Sequence, residues 1–232
     1  MADPVRIVLR RERLVVVDKP AGVVAHATRG AIGRPLLQRV RNMVGKQVFL
    51  LHRLDAATSG LVALALDAEM AGLLGPTFGT ARVEKRYLGF VRGVPREEEG
   101  VIDHPIPRSE DGPRVPALTG WRKLWTSGRY SLLAVRPRSG RRHQIRRHLK
   151  HLSWPLIGDV RYGKGEHNRK FREEVGLHRL ALHACFLKLT LPDGEALAAT
   201  SPLPRDLRRP LAHFGVPAGV LDAAPATPVA LP

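Results

Sequence analysis

The sequence predicts a mixed α+β fold on a largely antiparallel sheet with flanking helices. Most periodic segments read as strands, and no unit repeats along the chain. Strands and helices do not alternate regularly, as a doubly wound parallel sheet requires. Residues 121–125 and 130–135 also look like a strand pair around the turn Thr126-Ser127-Gly128.

The elements follow in chain order. Leu14-Val15-Val16-Val17 is a buried strand, ended by the turn Asp18-Lys19-Pro20-Ala21-Gly22. Residues 35–43 have helical spacing, with Leu36, Leu37, Val40 and Met43 on one face. A strand at 48–51 enters a bend at Asp55, and the apolar run 61–66 leaves it. Residues 68–78 form a short helix broken at Gly75-Pro76, and 85–91 alternate as a strand. The basic run 144–152 is helical, opened by Ser139-Gly140-Arg141-Arg142. Residues 180–191 hold another strand, closed by Pro192-Asp193-Gly194. Two stretches look loose. Residues 96–116 are rich in Pro, Gly and charge and read as a loose insertion, while the Ala/Pro-rich tail 216–232 reads as disordered. The expected organisation is one domain over 1–215, followed by that tail.

The chain has 232 residues, 44% of them hydrophobic, enough for one substantial core or two lobes sharing a sheet. Lys and Arg number 38 against 21 Asp and Glu, a formal charge of +17. That excess attracts polyanions, nucleic acid first and acidic membrane second. Membrane is the weaker candidate, because the basic residues are spread over several segments and no long apolar span exists. The single cysteine, Cys185, excludes an internal disulfide framework and a cysteine-based zinc site. The start, Met1-Ala2-Asp3-Pro4 followed by Val5-Arg6-Ile7-Val8-Leu9, is too short and charged for a signal peptide. The expected setting is cytoplasmic.

The chemistry centres on His52-Arg53-Leu54-Asp55-Ala56-Ala57-Thr58-Ser59-Gly60. In so basic a chain, an acid at this bend suits chemistry on a captured polyanion better than a phosphate contact. The plainer alternative is a turn in which Asp55 or Thr58 bonds local backbone amides. On the basic helix, Arg142 and Arg146 share a face, as do His143 and Arg147, while Ile145, Leu149 and Leu152 can face a core. One arginine can then be held inward against a carboxylate while others meet phosphates; a solvated basic face is the alternative. His143, His148 and His151 do not share one helical face, and no HExxH spacing occurs, so no metal site is expected. No GxSxG elbow, Walker loop or GxGxxG is present. Tyr87 is either a packed core residue with a bonded hydroxyl or a stacking platform for an extruded base.

Six segments, in order, carry a resemblance. They are Asp18-Lys19-Pro20-Ala21-Gly22 with His26; His52-Arg53-Leu54-Asp55 with Thr58-Ser59-Gly60; and Lys85-Arg86-Tyr87 with Gly93. Gly140-Arg141-Arg142-His143-Gln144-Ile145-Arg146 with His148-Leu149, then Pro155-Leu156-Ile157-Gly158-Asp159, and Leu182-His183-Ala184 complete the series. Together they cover residues about 14 to 192, and the chain resembles the RluA-type pseudouridine synthases. Gly89 departs mildly from the family, which usually carries Ala there.

The resemblance implies the pseudouridine synthase fold, with a central RNA-binding cleft, and isomerisation of uridine to pseudouridine without a cofactor. It makes Asp55 the catalytic aspartate, Arg53 the arginine entering the RNA, and Tyr87 the ring packed on the target base. It makes Arg146 the basic partner of the catalytic acid and Leu182 the apolar residue closing the base pocket. The run 146–152, the stretch 158–177 and His213-Phe214-Gly215 resemble a member that modifies tRNA at uridine-65, at the base of the T stem. That implies RNA, most simply tRNA, as partner of a monomeric protein without membrane or obligate protein partners. Large-subunit rRNA is the alternative substrate, and a non-catalytic RNA-binding protein or RNA chaperone the alternative from another class.

Overall fold

A computed structural model describes residues 4–26, 33–109 and 112–231. The readings that fell on residues 1–3, on 110–111 within the expected loose stretch, and on residue 232 lie outside those described. The chain divides into two compact units: residues 1–84 with 186–201, and residues 85–185 with 202–232.

The first unit opens with β1 (Arg6–Arg10) and β2 (Leu14–Lys19), paired antiparallel across a bulge between Ile7 and Leu9. α1 (Leu36–Val44) ends on Gly45, whose left-handed backbone lets its amide bond the Arg41 carbonyl. β3 (Phe49–Leu50) and β2 flank β4 (Ser59–Ala65), with Leu14 opposite Ala65 and Lys19 opposite Gly60. α2 (Ala68–Leu74) is capped by Asp67, which accepts from the Met70 amide; it gives way to a 3-10 turn at Gly75–Thr77. The chain crosses to the second unit within β5 (Val83–Arg92) and returns within β11 (Leu182–Thr190). The part of β11 from Phe186 pairs with β12 (Ala196–Thr200). Period-two alternation places Leu14 and Val16, Leu61, Ala63 and Ala65, and Leu187 and Leu189 in one core, against Met70 and Leu74 of α2. Val15, Val17, Val62 and Leu64 on the opposite face are also buried.

In the second unit, β6 (Glu99–Asp103), β9 (Leu118–Ser127), β10 (Tyr130–Pro137) and β5 are antiparallel neighbours in that order. The short pair β7 (Ile106–Pro107) and β8 (Arg114–Val115) stands apart. α3 (Gln144–His151), α4 (Gly165–Val175), α5 (Arg205–His213) and α6 (Ala218–Ala223) complete it. Phe90, Tyr130, Phe171 and Phe214 form an aromatic knot, with centroids 4.8–6.1 Å apart and mostly edge-to-face.

The described residues of the segment expected to be loose instead include the strands β6, β7 and β8. β6 pairs with β9 from Glu99 opposite Arg122 to Asp103 opposite Leu118, and Ile102 and Ile106 are buried. The tail expected to be disordered is also packed. Leu221, Ala224 and Val229 are buried, and Asp222 pairs with Arg208 at 2.7 Å. Arg86 donates to the carbonyls of Ala226 and Thr227 at 2.7 Å each, and Arg136 to that of Val229 at 3.1 Å. Disorder needs low hydrophobicity as well as Pro and Ala, and this tail carries enough Leu and Val to be covered.

Candidate active site

In the first unit the site is built from two turns tied together by one buried lysine. Lys19 ends β2 with no exposed surface. A buried ammonium needs its three donors satisfied. Its Nζ donates to the carbonyls of Pro20 (3.0 Å), Val23 (2.8 Å) and Ala56 (3.2 Å). The Gly22 amide adds a bond to Ala56 O at 2.8 Å, and Gly22 supplies the positive φ of +85° that the turn requires. Ala56 directly follows Asp55, so the backbone of the candidate carboxylate is anchored to the 18–22 turn. The bond closing the Asp55 turn runs from the Thr58 amide to the Asp55 backbone carbonyl at 3.0 Å. Asp18, also buried, accepts from Arg6 and from Ser201 Oγ, each at 2.9 Å.

The residues before Asp55 alternate. His52 stacks on Phe78 with centroids 4.7 Å apart, and its Nε2 accepts from the Ala63 amide at 3.0 Å, so the proton sits on Nδ1. Arg53 points to solvent, Leu54 is buried, and Asp55 is half-buried.

The second unit holds the other three expected residues. Tyr87 lies on β5 opposite Val135 and is buried. Arg86 turns to the other face, toward the tail. Lys85 shares the Tyr87 face and is also buried; burial pushes its ammonium down to about 8. Its Nζ lies 3.5 Å from where a Cβ on Gly140 would stand. Gly89, two residues beyond Tyr87, faces Leu156, Leu182 and Leu149, which a Cβ there would meet at 3.0, 3.7 and 3.9 Å. The absent methyl therefore leaves room for those leucines, which accounts for glycine at this position. Tyr87, Gly89, Leu182 and the Leu149 face of α3 thus share one apolar wall.

Arg146, on the buried side of α3, makes a two-pronged pair with Asp159, both bonds being 2.8 Å. Asp159 is 1% exposed and also accepts from the Arg161 and Tyr162 amides at 2.9 Å each. Burial works to raise its pKa. The Arg146 guanidinium and the two amides outweigh burial and hold the carboxyl below its ordinary range. The Arg146 guanidinium sits 5.1 Å over the Tyr162 ring. The expectation of one arginine held inward against a carboxylate is met, and Asp159 is that partner.

Gln144 fixes the start of α3, donating to Leu118 O (2.9 Å) and Thr119 Oγ1 (3.0 Å) and accepting from Ser139 Oγ (2.7 Å). The three helix histidines have separate partners. His148 bonds Thr119 and the His104 carbonyl, His143 bonds Tyr162, and His151 stacks on His104. The buried Cys185 thiol is pushed up to about 12 by burial, so it is no nucleophile at neutral pH.

Lys19, Gln144, Asp159 and Tyr162 are the supporting residues that sequence reasoning left without roles. For Lys19 and Asp159 the available signal was membership of the ordered segments 18–22 and 155–159.

Comparison with known proteins gives a consistent result. The model of the RNA pseudouridylate synthase family matches residues 13–151. A protein named tRNA pseudouridine synthase C from Vibrio parahaemolyticus is 37% identical over 211 residues, covering 80% of this chain and 85% of that protein. Its namesake from Haemophilus ducreyi is 37% identical over 208 residues, with the same coverage. The solved structure of human RNA Pseudouridylate Synthase Domain Containing 4 aligns with TM-score 0.74 and 28% identity, over 90% of this chain and 92% of that one.

Proposed function

The chain belongs to the RNA pseudouridylate synthase family, and from that premise we propose that it isomerises a uridine of tRNA, uridine-65 at the base of the T stem, with Asp55 as the catalytic carboxylate. The uracil leaves C1′, turns and rejoins through C5. No atom is gained or lost, so the chemistry needs no redox partner or energy donor. One ionised carboxylate suffices, attacking covalently or removing a sugar proton.

The observation that carries the reading is the Asp55 turn. Its backbone is anchored from beneath by a fully buried lysine, while its side chain stays half-buried rather than sealed in the core. The remaining roles follow the resemblance. Arg53 enters the RNA beside the extruded uridine, and Tyr87 and Leu182 confine the detached uracil. Arg146, oriented by Asp159, is the basic partner of the catalytic acid. Extruding a base costs a few kcal/mol, which basic backbone contacts offset. Among the described residues no helix is long and apolar enough to cross a membrane. We take the chain as one catalytic domain, acting as a monomer in the cytoplasm, with its tail 216–232 part of the second unit.

The test is an assay of purified protein on unmodified tRNA and on large-subunit rRNA fragments, with pseudouridine mapped at nucleotide resolution. Modification of intact tRNA at one T-stem position is expected. Preference for the rRNA fragments would refute the tRNA assignment and leave the chemistry standing.

A further inference from the structure

Away from the residues assigned to chemistry, Arg92, Gly93, Arg129, Ser153 and Trp154 line a recess of about 430 Å³ in the second unit. Three segments meet there, each pinned by backbone bonds. The end of β5 is tied to the residue after Trp154 by Arg92 N to Pro155 O, 3.0 Å. It is tied to the β9–β10 hairpin by Gly93 N to Arg129 O, 2.7 Å. The Trp154 amide bonds Leu149 O of α3 at 2.8 Å. Gly93, at φ +138°, lets the indole lie on the strand end: a Cβ there would stand 2.2 Å from Trp154 Cδ1. Trp121 braces the indole edge-on at 5.1 Å. The walls are therefore preformed.

Among the described residues, Arg92 Nε is buried and has no hydrogen-bond partner, which is uncommon for a buried donor. The local positive charge is also felt by His167, which burial first and the Arg92 charge second hold below its ordinary value.

We propose that this recess is a second RNA-binding subsite, in which Arg92 and Arg129 grip a backbone phosphate and Trp154 packs against the adjoining sugar or base. Guanidinium forks suit phosphate oxygens, and an aromatic face beside them suits a nucleotide of any sequence. The inference rests on the RNA-modifying reading of the chain and adds to it. Along β5 the recess lies about 17 Å from Tyr87, so it holds a nucleotide other than the one that reacts. It rewards folded RNA that reaches both points.

The experiment measures tRNA binding from 50 to 300 mM salt for wild type, the exposed single variant Arg129→Gln, and Arg92→Gln/Arg129→Gln. Binding does not depend on turnover, so a protein that makes no pseudouridine refutes the proposed function while this comparison still decides the recess. The double variant is expected to bind about tenfold more weakly at 150 mM salt, with the slope of log affinity against log salt reduced by about 1–2. KM should rise in parallel while kcat stays within twofold. Arg129→Gln, at a hairpin tip where folding is not at risk, should by itself reduce the slope by about 1. Unchanged affinity and slope in both variants would overturn the proposal. So would saturable binding of uridine monophosphate that the substitutions abolish while tRNA affinity is untouched, which would make the recess a free-nucleotide site.

Discussion

Replacing Asp159 with Asn tests how the second unit is held together. The carboxylate is 1% exposed and receives four hydrogen bonds, two from Arg146 and one each from the Arg161 and Tyr162 amides. Asn preserves the shape but removes the charge, so the Arg146 fork loses the carboxylate it grips. Breaking a buried pair from one side typically costs about 3–5 kcal/mol. In a chain of this length that corresponds to a fall in Tm of roughly 6–20 °C. The pH dependence has a definite sign. Asp159 is depressed in the folded state, so its contribution is fully present above the unfolded carboxyl value, near 4, and is lost as pH falls below it. Thermal melting followed by circular dichroism from pH 7 to pH 3 should show a large gap between wild type and Asp159→Asn at neutral pH that narrows at acid pH. A variant melting within 1 °C of wild type at pH 7, or a gap constant to pH 3, would refute the reasoning.

Arg146→Ala should lose activity heavily and melt early, while Arg146→Lys should recover only part of the activity, since an ammonium lacks the fork; full activity in the alanine variant would remove Arg146 from the site. Lys85→Met should raise Tm at pH 7, because the ammonium is buried with its pKa lowered to about 8. With that folded value below the unfolded one, the unfolded state binds more protons between pH 8 and 10, so wild type should gain on the variant over that range; parallel melting curves would contradict this. Deleting residues 216–232 should lower Tm, because it uncovers the Arg86 guanidinium now bonded to Ala226 and Thr227; an unchanged Tm would return the tail to a passive role. Activity should survive dialysis against EDTA, and loss restored by zinc would show a metal role for the histidines.

The segments legible in the sequence were those with strong local signals. β2 and β4 each hold an apolar run, 14–17 and 61–65, the β9–β10 hairpin has its turn residues, and α1 and α3 have one apolar face. β6 escaped because it is an edge strand in which Glu99, Val101 and Asp103 are exposed and Ile102 alone is covered. The tail escaped because its cover comes from arginines more than 90 residues earlier in the chain. The candidate Asp55 was legible through its surrounding motif. The residues that hold the site were not: Lys19 reads locally as a surface lysine in a turn, and Asp159 meets Arg146 from 13 residues away. Only tertiary contact distinguishes such groups from solvated charges.

The most direct test of the central assignment is Asp55→Asn assayed with purified protein on unmodified tRNA, with pseudouridine formation and RNA binding measured on the same preparation. Asn is nearly isosteric but can neither attack nor take a proton at neutral pH. The account predicts no detectable pseudouridine with affinity within a few fold of wild type, and turnover near the wild-type rate would contradict it.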